Sequence, residues 1–94
     1  MSFSLSQYLF KKGIACFREG RYQDAIGFFT KATKKDPLNH KAWNALGVSY
    51  SKNRDFSEAN TCFHTALRLE PECDAYLENL KKNRVHMRIH SQKR

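Results

Sequence analysis

The sequence has few of the features that mark membrane proteins, β proteins and disulfide-rich domains. It contains only two prolines and four glycines among 94 residues, too few for a turn-rich β fold. No apolar run approaches the roughly 20 residues that cross a bilayer, and the first residues lack the basic region of a signal peptide. Three cysteines, an odd number, do not make a disulfide framework. Reduced thiols and a cytoplasmic location are the simpler interpretation.

Catalytic and cofactor motifs are missing as well. No pairing of Ser, His, Asp or Glu forms a recognisable catalytic motif. Cys73, His86 and His90 have the C-x12-H-x3-H spacing of a zinc finger, but no second cysteine lies near the first. A helix between them would separate Cys73 from His86 by about 20 Å. His86 and His90 remain either an adventitious metal pair or part of a solvated helix face. We therefore predict no catalytic residue, no cofactor and no dedicated metal site.

Acidic residues are absent from the C-terminal segment 81–94, although the whole chain has 17 Lys and Arg against 9 Asp and Glu. This segment suits phosphate backbones or an acidic partner, but it has no aromatic side chain to stack on bases. A solubilising tail is the alternative. Its basic residues are Lys81, Lys82, Arg84, Arg88, Lys93 and Arg94.

The sequence does contain an internal repeat, in which two copies of one pattern follow each other at a constant offset. Apolar and small residues recur at i, i+3, i+4 and i+7 within each copy, which is one face of a helix. Pro37 and Pro71 end the second helix of each copy, because the residue before proline avoids the α region. Each copy therefore predicts a helical hairpin. The coincident pairs are Leu9/Trp43, Gly13/Gly47, Cys16/Tyr50, Ala25/Ala59, Phe29/Phe63, Ala32/Ala66 and Pro37/Pro71.

This pattern resembles the tetratricopeptide repeat, a 34-residue unit of two helices. The second copy matches more fully than the first, which departs from the pattern at Leu9, Lys12 and Cys16. The resemblance implies an all-α fold of two stacked hairpins and a C-terminal capping helix, forming a fragment of a right-handed α-solenoid. Within a single domain, 1–94, the expected divisions are repeat 1 at 6–39, repeat 2 at 40–73, the capping helix at 74–90 and a basic tail at 91–94.

The capping helix should matter because each repeat contacts only its neighbours and two repeats are few. We expect Leu77 and Leu80, with Tyr76 as a further candidate, to cover the exposed face of the last hairpin. Val85, Met87 and Ile89 have no assigned partner in the monomer. They either extend the helix or dock on another chain.

A second apolar stripe lies beside the packing stripe of the first helix, at Phe10, Ile14 and Phe17. By the resemblance, such a stripe lines a concave groove in which peptides usually bind. The groove is either open or covered by Phe3 and Leu5. The predicted groove residues are Phe10, Lys11, Ile14, Phe17, Arg18, Lys41, Asn44, Val48 and Lys52.

Members of this family that clamp the terminal carboxylates of heat-shock chaperones use Lys, Asn and Arg at fixed positions. The matching positions here depart from that pattern, so this form of carboxylate recognition is not expected. They are Phe10, Ile14, Ala45, Ala75 and Asn79.

The predicted function is non-catalytic protein–protein interaction, by an adaptor or self-associating scaffold that binds a peptide or helix in the groove. The expected partner is a protein or peptide, with a second copy of the chain as a further candidate and no membrane. The alternative is binding of nucleic acid or an acidic partner through residues 81–94.

Overall fold

The computed structural model describes residues 4–91, and all regular structure in this range is helical. The helices are α1 (Leu5–Arg18), α2 (Tyr22–Lys35), α3 (His40–Lys52), α4 (Phe56–Leu69) and α5 (Asp74–Ser91). Helices α1 and α2 pack as one hairpin, α3 and α4 as a second, and α5 lies against α4. This confirms the predicted all-α architecture. None of the described helices has the length and apolar character needed to cross a membrane.

Local sequence signals explain where these helices begin and end. The side chains of Ser4 and Asn39 each accept a hydrogen bond from a backbone N–H of the following first turn, which satisfies a donor that the helix leaves free. Helices α2 and α4 end immediately before the pairs Asp36-Pro37 and Glu70-Pro71, as predicted from the restriction that proline places on its neighbour.

The turns inside the two hairpins share one backbone conformation. Gly20 has a φ of 77°, and Arg54, its counterpart in the second copy of the repeat, has a φ of 67°. Glycine adopts this left-handed region freely, whereas a residue with a Cβ loses about 1–2 kcal/mol there. The second hairpin therefore keeps the same turn, although Arg54 suits this conformation less well than the glycine of the first hairpin.

The alternation of small and large residues has a direct cause in each hairpin. A Cβ placed on Gly13 would lie 2.5 Å from Cε1 of Phe29, and one on Gly47 would lie 2.7 Å from Cε1 of Phe63. Both phenylalanines are buried. Each ring thus occupies the space that a side chain on the facing glycine would need, which is the close packing expected of a protein interior.

The stacking of successive hairpin units uses a second face of α3 and of α5. Ala42 and Leu46 of α3 are buried in clusters that contain Ala32 and Phe29 of α2. Leu80 of α5 is the counterpart of Leu46 when the repeat is continued at the same offset. It is buried with Phe63 of α4 in the same way. The packing of α5 therefore repeats that of α3.

The prediction for the capping face was right for Leu80 and Tyr76 and wrong for Leu77. Tyr76 and Leu80 are 6% and 3% exposed, while Leu77 is 40% exposed. Leu77 is the counterpart of Trp43, which lies one turn before Gly47 on α3, and Gly47 faces Phe63 of α4. No helix among residues 4–91 covers the equivalent face of α5. Val85 and Ile89 also lie exposed on α5, which continues as a helix to Ser91.

Candidate binding groove

Helices α1, α3 and α5 lie side by side, because α3 contacts both α1 and α5. Between α1 and α3 is a cleft of about 180 Å³ lined by apolar side chains. The structure thereby brings together three residues predicted from the sequence, Ile14, Phe17 and Val48, and adds two that were not assigned to the groove. The lining residues are Ile14, Phe17, Phe29, Ala45 and Val48.

The aromatic stripe of α1 also packs within its own hairpin. The ring of Phe10 lies 5.6 Å from that of Phe29, and the ring of Phe17 meets Tyr22 edge-on at 5.2 Å. Phe10 and Phe17 are both half-buried. Phe10 and Phe17 therefore also belong to the packing of the first hairpin, and substitution of either ring would remove contacts from the fold.

The N-terminal residues give a partial answer on whether the cleft is covered. Leu5 begins α1 and is 52% exposed, so it does not fold back over the stripe. Phe3, the other proposed cover, lies outside the described residues.

A second pocket, of about 220 Å³, lies between α3 and α5. Val48 lines this pocket as well as the apolar cleft. Lys52, predicted as part of the groove rim, and Lys82, predicted as part of the basic tail, line the same pocket. The sequence did not predict this shared pocket, because the two lysines were assigned to separate surfaces. The lining residues are Val48, Ser51, Lys52, Phe63, Asn79, Lys82, Asn83 and His86.

Two side-chain hydrogen bonds join α3 to α5. Asn79 donates from Nδ2 to Oδ1 of Asn44 at 2.9 Å, and Nδ1 of His40 lies 2.7 Å from the Tyr76 hydroxyl. Asn44, predicted to line the groove, therefore uses its carbonyl oxygen to bind a neighbouring helix.

The predicted rim residues Lys11, Arg18 and Lys41 are exposed on α1 and α3. No acidic residue occurs anywhere in these two helices. Within the described range 4–91, both ion pairs belong to Arg21, which contacts Glu19 and Asp24. The cations of α1 and α3 therefore have no acidic counterpart in this part of the chain.

The basic C-terminal segment divides between two sides of α5. Lys82 lines the pocket shared with α3. Lys81, Arg84 and Arg88 are exposed at i, i+3 and i+7, a spacing that places them along another side of the helix. Arg84 contacts His64 of α4 at 3.3 Å. Lys93 and Arg94 lie outside the described residues.

The two histidines considered for metal binding pack on an aromatic ring. His86 stacks on Phe56 at 5.5 Å with an interplanar angle of 13°, and His90 meets the same ring at 5.6 Å and 65°. Residues 4–91 contain no group of three or more His, Cys, Asp or Glu side chains arranged to hold a metal ion. The histidines therefore contribute to the contact between the end of α5 and the start of α4.

The cysteines occupy two different environments. Cys16 and Cys62 are buried, as predicted, and Cys73 is half-buried, all three as free thiols. Burial, with a smaller contribution from Glu58, raises the pKa of the Cys62 thiol to about 12. Because the thiolate is the nucleophilic form, Cys62 is a structural apolar side chain at neutral pH.

Comparison with curated proteins gives relatives of much greater length. The chain is 33% identical to the peroxisomal targeting signal 1 receptor of Dictyostelium discoideum over 64% of its own length. It is 30% identical to the N-terminal acetyltransferase A complex auxiliary subunit NAA15 of Arabidopsis thaliana over 82% of its length. The chain spans only 9% of the length of either relative.

Solved structures resemble the whole arrangement of helices. The first tetratricopeptide repeat domain of Spaghetti (RPAP3), bound to the HSP90 peptide SRMEEVD, superposes with a TM-score of 0.83. The match covers 93% of this chain and 71% of that one at 22% identity, so this likeness supports the fold alone.

A match to a family profile supports the assignment made from the repeat. The tetratricopeptide repeat profile matches residues 17–83, a range that runs from the end of α1 through α2, α3 and α4 and into α5. Together with the glycine–phenylalanine contacts that recur at matching positions of the two copies, this shows that the chain belongs to the tetratricopeptide repeat family.

Proposed function

We propose that this chain is a non-catalytic protein-interaction module that binds a peptide segment of a partner protein in the groove formed by α1, α3 and α5. The observation that carries the proposal is the apolar cleft between α1 and α3, in which Ile14, Ala45 and Val48 surround about 180 Å³ of open space. An apolar side chain of a partner gains roughly 1.5–3 kcal/mol by leaving water for such a site.

The comparisons support this proposal without naming the partner. The Spaghetti domain holds a peptide, and one relative is a receptor for a targeting signal. The positions at which chaperone-binding members of the family carry cations or amides are here Phe10, Ile14 and Ala45 in the groove. We therefore do not extend the HSP90 peptide of the Spaghetti domain to this chain.

The proposed setting is the reducing cytoplasm, in keeping with three free thiols. The predicted roles of adaptor and self-associating scaffold differ only in whether the bound segment comes from another protein or from a second copy. Sedimentation over a range of concentrations separates them, because a self-associating chain changes its apparent mass with concentration.

Selection from a displayed random-peptide library, followed by fluorescence anisotropy with the enriched synthetic peptides, tests the groove. Ala45→Gln fills the cleft with a helix-compatible side chain and removes no buried group. The matched control is Ala15→Gln, the same change at an exposed position of α1.

We expect Ala45→Gln to weaken peptide binding about tenfold or more, which corresponds to about 1.4 kcal/mol, while Ala15→Gln binds like the wild type. Equal binding by all three proteins would reject the cleft as the binding site.

A further inference from the structure

We infer that the pocket between α3 and α5 is a subsite for one anionic side chain of the bound peptide, either a carboxylate or a phosphate. This inference rests on the proposed function, because it describes which peptide the groove selects. It concerns Lys52, Lys82 and His86, which line one pocket of about 220 Å³.

The charge of the pocket is uncompensated. No acidic residue lines it, and neither Lys52 nor Lys82 forms an ion pair within the described range 4–91. Lys52 on α3 and Lys82 on α5 carry like charges at one pocket, and like charges repel one another. An anion placed between them would relieve this repulsion and gain two charge-assisted contacts.

The distribution of charge over the molecule favours the same occupant. The acidic side chains lie on α2, α4, α5 and the connecting turns, and none lies on α1 or α3. Lys11, Arg18 and Lys41 extend the positive character along these two groove helices. Such one-sided charge attracts and orients an acidic ligand.

The pocket also has a buried acceptor without a partner. Asn83 is 1% exposed and donates from Nδ2 to the carbonyl oxygen of Phe56 at 2.8 Å. Its Oδ1 has no hydrogen-bond partner among the described residues. A buried polar atom left in this state costs stability.

The pocket and the apolar cleft are adjacent, because Val48 lines both. A single extended peptide can therefore place an apolar side chain against Ile14 and Ala45 and an anionic side chain between Lys52 and Lys82. The expected recognition pattern is an apolar residue and an acidic or phosphorylated residue close together in the partner sequence.

The first test uses inorganic phosphate and acetate as probes of the pocket, followed by backbone amide chemical shifts in NMR spectra of the full chain. We expect saturable shifts in the segments 51–52 and 82–86 that disappear in the double variant Lys52→Gln/Lys82→Gln. The control variant is Lys31→Gln/Lys35→Gln, which removes two exposed lysines from α2. Equal, unsaturated shifts around all exposed lysines would overturn the inference, since they would report general ionic attraction only.

The second test uses the peptides selected on the wild-type protein, each synthesised with Glu, Gln or phosphoserine at the acidic position. We expect Gln to bind about tenfold more weakly than Glu, a difference of about 1.4 kcal/mol. The comparison of Glu with phosphoserine identifies which anion the pocket prefers. In Lys52→Gln/Lys82→Gln the three peptides should bind alike.

The outcomes separate this inference from the proposed function. Peptides that lose affinity in Ala45→Gln but bind equally with Glu and Gln would overturn the anionic subsite and leave the groove standing. Peptides that depend on Lys52 and Lys82 but are indifferent to Ala45→Gln would reject the cleft and keep the subsite.

Discussion

Gly13 and Gly47 show how single residues determine the packing of each hairpin. At both positions a phenylalanine ring of the following helix fills the space in which a Cβ would stand. Glycine inside a helix is unfavourable by roughly 0.5–1 kcal/mol relative to alanine. The repeat accepts this cost because the buried Phe29 and Phe63 contribute more, at roughly 1.5–3 kcal/mol each.

The first prediction tests this exchange at Gly47. We expect Gly47→Ala to lower the free energy of unfolding by about 1–3 kcal/mol, because its Cβ would force the buried Phe63 ring to move. Gly27→Ala is the matched control: Gly27 is helical and exposed, and nothing lies within 4 Å of its Cβ position. This control should gain about 0.5–1 kcal/mol. Urea unfolding curves measure both values, and shifts of the same sign would exclude the ring contact as the cause.

The second residue-scale prediction concerns thiol chemistry. The pKa of Cys62 is raised from 9.0 to about 12, so its thiol stays protonated at pH 8 and should not react with iodoacetamide while the chain is folded. Cys73 is half-buried and should be alkylated first. Mass spectrometry of digested, timed samples identifies the sites. Rapid labelling of Cys62 in folded protein would contradict its burial.

The same raised pKa has a consequence for stability. The folded chain holds the Cys62 proton more tightly than the unfolded chain. The resulting contribution to the free energy of unfolding is complete below pH 9 and is lost as the pH rises toward about 12. We expect the melting temperature to fall over this interval. The fall should be smaller in Cys62→Ala, which has no proton to lose at this position.

At the scale of helices, α5 illustrates what the repeat could and could not predict. Extending the repeat by one more step at the same offset pairs Leu46 with Leu80, and both are buried. The same step pairs Trp43 with Leu77, which is exposed because α5 has no following helix among residues 4–91. A periodic sequence predicts which faces a helix offers, but the neighbouring helices decide which of them is covered.

This difference gives the third prediction. Leu80→Ala should lower the free energy of unfolding by about 2–5 kcal/mol, because it opens a cavity between α5 and α4. Leu77→Ala is the same change one turn earlier on an exposed face, and we expect an effect within about 0.5 kcal/mol. Thermal unfolding followed by circular dichroism compares the two. Similar losses in both variants would show that α5 is oriented differently against α4.

The candidate groove was harder to predict than the helices. Ile14, Phe17 and Val48 could be assigned from helical spacing and the family resemblance, and they do line one cleft. The pocket of Lys52 and Lys82 could not, because its two halves lie on helices whose relative rotation the sequence does not state. The contact of Phe17 with Tyr22 likewise depends on side-chain directions that periodicity leaves open.

For the molecule as a whole, the net charge of +8 raises the question of nucleic-acid binding. The described cations of the C-terminal segment are divided, with Lys82 in the groove pocket and Lys81, Arg84 and Arg88 on another side of α5. Three phosphate contacts on one stripe give weak binding that falls steeply with salt.

The fourth prediction follows from this division. A fluorescent 20-nucleotide oligouridine should bind with a dissociation constant no tighter than roughly 10⁻⁶–10⁻⁴ M at physiological salt, the range of non-specific contacts. Changing Lys81, Arg84 and Arg88 together to Gln should abolish this weak binding of the oligouridine. Submicromolar affinity that persists above 0.2 M salt would favour nucleic acid over a peptide as the ligand.

The hydrogen bonds between α3 and α5 give the two halves of the groove different mechanical properties. The Asn44–Asn79 and His40–Tyr76 bonds are directed contacts between α3 and α5, whereas the cleft between α1 and α3 is lined by apolar side chains, whose contacts are non-directional. We therefore expect the α3–α5 half of the groove to be the more rigid one and the α1–α3 half to adapt more to a ligand. Binding in the α3–α5 half should cost little conformational entropy, because this half is already shaped. Binding in the α1–α3 half should cost more, because its side chains must be ordered. A bound peptide should therefore dissociate first at the α1 end of the groove and last at the α3–α5 pocket.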